Sequence, residues 1–281
     1  MKRIKITHKT VDHYHTPVTF GPHRALIRPR EGHDVHIASS LIEIEPKANV
    51  RWLRDIYGNS IVIFTFAESG RKLSLLSEVN VDFYDDEPIE CLIDPNANSY
   101  PFQYGADEQV EIIQLRSYPH DGPAVQKWLL DLYRPGQLIG THELLDKLNT
   151  HIYESFKYVR REEAGVQFPC QTLALGAGSC RDYAVFMMEA ARHWGFGARF
   201  VTGYIQMGEG QHGATHAWTE IYIPGMGWRG FDPTNNKRVG YEHVTVAVAR
   251  EHEKASPLSG TWEGEPDAFD RMEVSVQAVS T

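Results

Sequence analysis

Over the first hundred residues, apolar and polar positions alternate in short runs: "ALIRP", "HIASSLIEIEP", "SIVIFTF" and "LSLLSEVNVDFY". Turn signals, "EGHD", "YGNS" and "ESGRK", separate them. A period of two broken by Gly, Asn and Asp is the mark of half-buried antiparallel strands, and it predicts a β-rich N-terminal domain, a sandwich or barrel, over residues 1–100. Residues 101–122, rich in Pro, Asn and Gly with little periodicity, read as a connection. The pattern then changes period. "PAVQKWLLDLYR" and "THELLDKLNTHIYESFKYV" carry apolar residues at i, i+3 and i+4, the helical spacing, and Thr141 is placed to cap the second of these helices. A loop, "RREEAGVQFPCQT", leads to "AVFMMEAARHW", a further helix ending at Gly195. Strand-like segments follow: "ARFVTGYIQM", "HAWTEIYI", "GWRGFDP" and, near the end, "MEVSVQAV". Residues 123–281 are therefore predicted to be an α+β unit, helices first and an antiparallel sheet after them.

Composition narrows the classes of function. Lys plus Arg number 28 and Asp plus Glu 37, so the formal charge is 28 − 37 = −9, and with no long basic run nucleic acid is not an expected partner. No window reaches the roughly 18 apolar residues of a membrane span, and "MKRIKITHKTVDHYHTP" lacks the apolar stretch of a signal peptide. The cytoplasm is the expected compartment. The three cysteines, Cys91, Cys170 and Cys180, form no C-x-x-C pair, and His212 and His216 flank a loop-like "GAT" rather than sharing a helix face. No metal or other cofactor is expected. Nothing in the sequence sets an oligomeric state.

Two stretches carry chemistry: "LGAGSCRDYAVFMMEAARHWG" and "HAWTEIYIPGMGWRGFDPTNN". Cysteine acts as a nucleophile through its thiolate, so a catalytic cysteine needs a device that lowers a pKa of about 8.5. A helix N-terminus is such a device. In "GSCRD", Ser179 reads as the N-cap, Asp182 as the acidic member of a capping box and Cys180 as the first helical residue, facing amide donors that also suit an oxyanion. Read alone, Cys180 is equally a small buried apolar residue, the common state of a free cysteine. His216 opens a strand-like segment and Asp232 closes the next; a hairpin across "PGMG" would set them side by side, a base and the carboxylate that orients it. The plainer alternatives are a structural histidine and an Asp-Pro turn. Trp218, two residues beyond His216 on the same strand face, is a candidate substrate contact or a core residue, and Gln167 a candidate contact to the substrate carbonyl or a solvated loop residue. Cys91 and Cys170 lack any such setting.

These blocks, with "GVQFPCQTLALGAGSCRDYA", "ARFVTGYI" and the later "VAVAREHEKASPLSGTWEG", resemble the bacterial transglutaminase-like enzymes, often described as cysteine peptidases. The N-terminal half shares the likeness through "HYHTPV", "RALIRPR", "IEIEP" and "RDIYGNSIVIF", so the resemblance covers nearly the whole chain. It implies a papain/transglutaminase-like core behind an N-terminal β region, with Cys180 as nucleophile, His216 as general base and acid, and Asp232 as the residue orienting His216. It also implies acyl transfer or hydrolysis through a Cys180 thioester on a protein, peptide or small amide. No calcium-binding segment is matched. The other reading is a non-catalytic binding or scaffold module on the same fold; the presence of all three triad residue types favours the enzyme.

Overall fold

A computed structural model describes residues 2–84, 93–117, 122–161, 163–208, 210–211 and 213–281. The N-terminal strands are β1 (Lys2–Ala25), β2 (Val35–Glu45), β3 (Ala48–Arg54), β4 (Ser60–Phe66) and β5 (Ser69–Phe83), hydrogen-bonded in the order β2-β5-β1-β4-β3. The middle of the chain holds β6 (Ser99–Tyr100), α1 (Ala106–Ile112), α2 (Pro123–Leu129), β7 (Ile139–Gly140), α3 (Thr141–Ser155), β8 (Lys157–Tyr158), α4 (Pro169–Leu175), β9 (Ala177–Gly178) and α5 (Cys180–His193). A second sheet follows from β10 (Ala198–Ile205), β11 (His216–Ile223), β12 (Gly227–Asp232), β13 (Lys237–Arg238) and β14 (His243–Ala249), in the order β13-β12-β11-β10-β14, antiparallel throughout. The last strands, β15 (Leu258–Glu263) and β16 (Phe269–Ser280), both pair with β1.

The α+β class, antiparallel layer first and helices on an antiparallel sheet after it, is the architecture found. Several elements differ from the sequence reading. The sequence pattern places "MEVSVQAV" in the second sheet, but β16 runs beside β1 from Ile4 to Tyr14, so this strand completes the N-terminal layer. Alternation marks a segment as a strand without naming its partner, which only long-range pairing decides. The 24 residues of β1 were not recognised as a strand, because its inward positions are not uniformly apolar: Ile4, Ile6, His8 and Thr10 are all buried. Helices α1 and α4 lie in stretches read as connection and loop; each is seven residues, too short to display a helical period. Thr141 is the first residue of α3 rather than its cap, and its hydroxyl donates to the Ala97 carbonyl at 2.5 Å.

Helix α5 is buried on every side from Asp182 to Arg192, the signature of a helix at the centre of a core rather than on its surface. It packs on β11 and β10, and its apolar residues share one cluster with Ile4, Ile6, Val79 and Val81 of the N-terminal sheet. The two layers are thus halves of one core. Two polar devices cross it. Asn59, fully buried, pairs its amide with the Val248 backbone, Nδ2 donating to the carbonyl at 2.7 Å and Oδ1 accepting the N–H at 3.0 Å, so it satisfies the outer edge of β14 as a neighbouring strand would. His8 on β1 shares a hydrogen bond with the Tyr204 hydroxyl on β10 at 2.8 Å and another with Thr10 at 3.0 Å. Among the described residues no helix is long and apolar enough to cross a membrane.

Burial pushes the His8 imidazole down from 6.5 to about 4. The folded chain therefore binds fewer protons than the unfolded one between these values. The stability this neutral histidine allows is present above pH 6.5 and is lost as pH falls towards 4, by up to about 3 kcal/mol. Urea denaturation from pH 4 to 7 should show that fall in the wild type and a flatter profile in His8→Gln; equal slopes in the two proteins would reject it.

Candidate active site

The parallel pair β8–β9 aligns Tyr158 with Gly178, and the chain then enters α5 through Ser179 and Cys180. As the capping pattern predicts, Ser179 is the N-cap, Cys180 the first helical residue and Asp182 the third. The Asp182 carboxylate, with no exposure, accepts from the Ser179 N–H and hydroxyl, both at 2.7 Å, from the Gln167 N–H at 2.7 Å and from Arg161 Nη1 at 2.7 and 3.0 Å. An anion at this end also meets the positive pole of the helix. One side chain thereby ties Arg161 and Gln167 to the turn that presents Cys180, itself partly exposed.

The hairpin expected across "PGMG" is present: Thr219 lies opposite Phe231 and Ile223 opposite Gly227, which brings the start of β11 and the end of β12 together. His216 Nε2 and Asp232 Oδ2 are 2.8 Å apart, and the Cys180 side chain lies near enough to the His216 ring to act on its proton. With Nε2 engaged by Asp232, Nδ1 is the nitrogen left for the sulfur. Burial alone would lower the His216 pKa, but hydrogen bonds and charge attraction from Asp232 and Cys180 outweigh it and push the value up to about 10. Burial likewise opposes ionisation of Asp232, yet hydrogen bonds from His216, His243 and Asn235 hold its carboxyl well below the usual range.

Residues 139–233, which include Cys180, His216 and Asp232, match the transglutaminase-like superfamily, and residues 4–82 match the bacterial transglutaminase-like N-terminal region. Residues 139–233 are a transglutaminase-like core. An uncharacterized protein of Mycobacterium tuberculosis (strain H37Rv) is 26% identical over 274 residues, 92% of this chain and 87% of its own. One from Mycobacterium leprae is 22% identical over 273 residues, covering 94% of each chain. Among solved structures, a protein of Cytophaga hutchinsonii described as a "putative cysteine protease" aligns with a TM-score of 0.73 at 19% identity, over 99% of this chain and 90% of its own. That likeness is one of fold.

Two residues that sequence reasoning did not single out complete the cluster, both beyond the end of the matched transglutaminase-like core. Asn235 donates from Nδ2 to Asp232 Oδ2 at 2.7 Å, while the Thr234 and Asn235 N–H groups donate to Oδ1 at 3.0 and 3.3 Å. This is the Asx-type turn that "DPTNN" suggests, made by the same aspartate that holds His216. His243, at the start of β14 and 4% exposed, places Nε2 at 3.0 Å from the same Oδ2. No sequence signal distinguishes it from thirteen other histidines. His216, Asp232 and His243 bring three ligand-type atoms within 4.8 Å of one another, but both imidazoles bond to one carboxylate oxygen, so these atoms satisfy each other rather than converging on a vacant centre.

The remaining candidates take other places in the transglutaminase-like core. Trp218 has no exposure and packs with Val201 and Val248, its ring edge-on to His243 at 5.3 Å. It is a wall behind the cluster, the core alternative, with no surface turned to solvent. The wall needs Gly203, since a Cβ there would lie 2.4 Å from the Trp218 ring and 2.3 Å from the Val244 carbonyl oxygen. Gln167 is half-buried; its N–H is held by Asp182 and its Oε1 accepts from the Thr172 hydroxyl at 3.1 Å. Cys170 is exposed on α4, away from this cluster of hydrogen bonds. Cys91 and His212 lie outside the described residues.

Removing the charge at Asp182 separates its role from that of the sulfur. Asp182→Asn leaves Arg161, whose side chain is only 16% exposed, without its carboxylate, and should lower stability by about 3 kcal/mol. Urea midpoints and protease cleavage within 159–168 would check it: an unchanged midpoint with no new cleavage would show that the carboxylate does not organise this turn.

Proposed function

We propose that the protein is a cysteine-dependent enzyme of the transglutaminase-like kind, acting on an amide or peptide carbonyl through a thioester at Cys180. The observation that carries this reading is the alignment of Cys180, at the start of α5 and close enough to raise the His216 pKa, with His216 bonded at 2.8 Å to buried Asp232. A non-catalytic scaffold needs no such alignment.

With its pKa pushed up to about 10, His216 carries its proton at neutral pH and is ready to donate it. Cys180 Sγ attacks the carbonyl carbon, and the tetrahedral oxyanion is met by amide N–H groups at the N-terminus of α5. The side-chain Nε2 of Gln167 is a candidate second donor, since its Oε1 is already engaged by Thr172 and its backbone N–H by Asp182. His216 then gives its proton to the leaving amine, the C–N bond breaks, and the acyl group stays on sulfur. Water or a second amine, deprotonated by the now neutral His216, resolves the thioester and frees the thiol. Asp232 holds the ring in the tautomer and orientation both steps need. The substrate on this reading is a protein, a peptide or a small amide.

Incubating the purified chain with a lysate and trapping adducts for mass spectrometry should place an acyl mass on Cys180. On the substrate so found, Cys180→Ala and His216→Ala should fall to near background. Asp232→Ala should lose roughly 10³–10⁴-fold and retain measurable turnover. The Cys180 and His216 losses should not add in the double variant, because the groups act as a unit. Cys170→Ala should keep the wild-type rate. Full turnover in folded Cys180→Ala would end the thiol mechanism.

A further inference from the structure

We infer that His243 is a positioning residue of this site: a second imidazole on Asp232 Oδ2 that shares the carboxylate charge and so sets how tightly His216 holds its proton. The inference rests on the reading of Cys180 and His216 as the reacting pair.

The geometry is specific. Gly240 N–H approaches His243 Nδ1 at 3.4 Å, which makes Nδ1 the acceptor and puts the ring proton on Nε2, directed at Asp232 Oδ2 at 3.0 Å. That oxygen therefore receives three donors, His216, His243 and Asn235. Oδ1 is occupied by backbone N–H groups. Asp232 is thus fixed in place by its own turn, and a second histidine is not needed to hold its rotamer. What His243 adds is a third hydrogen bond to one buried anionic oxygen. Each added donor spreads that charge and makes the carboxylate a weaker base towards the imidazolium. His243 is itself fixed, because its ring is buried edge-on against Trp218, whose place requires glycine at residue 203.

The charge-bearing groups around the cluster are few. Cys180 faces His216 from α5, Asp232 faces both rings from β12, and His243 faces them from β14. The exposed Lys237–Glu242 pair at 2.8 Å acts from farther off, Lys237 on Asp232 and Glu242 on His243, with opposite signs. An acyl-transfer site needs an imidazolium that forms readily yet gives its proton to a leaving amine. A lone buried aspartate would hold that proton more tightly than one whose charge is shared.

The test is the rate of Cys180 alkylation by iodoacetamide, mapped by mass spectrometry on the full chain between pH 4 and 11. It is run on the wild type, His243→Leu, His243→Gln and His216→Ala. In His243→Leu the alkaline inflection that depends on His216 should move up by about one pH unit, as expected for losing one of three donors to the carboxylate. His243→Gln, which keeps an N–H donor, should restore the wild-type inflection. A role in packing alone would change stability and leave the inflection in place. Should His243→Leu fail to fold, His243→Asn, with an amide too short to reach Oδ2, should show the same upward shift. An unmoved inflection in a folded donor-less variant, with labelling still dependent on His216, overturns the role of His243 and leaves the triad standing. Labelling at Cys180 that is unchanged in His216→Ala overturns both readings.

Discussion

A carboxylate with no exposure to water is the constraint around which this molecule is arranged, and it occurs at two decisive places. Desolvating an anion costs several kcal/mol unless donors replace the lost water. Asp182 and Asp232, both fully buried, meet that demand in ways that organise distant parts of the chain. Asp182 draws in Ser179, Gln167 and Arg161 and so shapes the turn before Cys180. Asp232 draws in Asn235 from the turn after β12, His216 from β11 and His243 from β14. Between the two anions lie the sulfur and the imidazole. The site is therefore less a feature added to the fold than the result of satisfying two buried charges at one end of a helix and a hairpin.

The N-terminal layer takes part in that arrangement. The segment leading to His216 is pinned to β16, with Met207 N–H donating to the Ala278 carbonyl at 2.8 Å and Gly213 exchanging hydrogen bonds with Val276 at 2.9 and 3.0 Å. β16 is in turn a full-length partner of β1. The approach to the base is thus set by a strand from the far end of the chain. His8 and Asn59 fasten the same layer to β10 and β14, the strand that delivers His243. Burying polar groups across an interface is costly unless each finds its partner, so these pairs favour one seating of the layers over any slipped alternative.

How much of this the sequence disclosed follows from how local each determinant is. Ser179, Cys180 and Asp182 were legible because a helix cap is a pattern of four residues, and the His216–Asp232 hairpin because alternation and a glycine turn act over twenty. His243 was illegible. It joins the cluster only because β14 packs on the far side of β10, a pairing with no local signature. β1 is illegible for a related reason: its inward His8 is satisfied by Tyr204 on β10 and its inward Thr10 by His8, so the apolar period that marks a strand is interrupted. β16 was recognised as a strand and assigned to the wrong sheet, since periodicity reports the face a residue takes and not the edge a strand joins.

The contrast in exposure between sulfur and imidazole bears on how a thioester would be resolved. Cys180 is partly open, whereas His216 is 8% exposed and held by Asp232, Asn235 and the sulfur. A ring so held does not swing out to collect a proton or a nucleophile from bulk water. On the proposed mechanism, whatever attacks the acyl-sulfur bond must come to the ring where Asp232 holds it. An acceptor amine that fits the space vacated by the leaving group then competes with water on geometry rather than on concentration, and the choice between transfer and hydrolysis passes from the triad to the walls of that approach. On the proposed mechanism Cys180, His216 and Asp232 would serve both outcomes alike, so that choice would rest with the residues that line the approach to the sulfur.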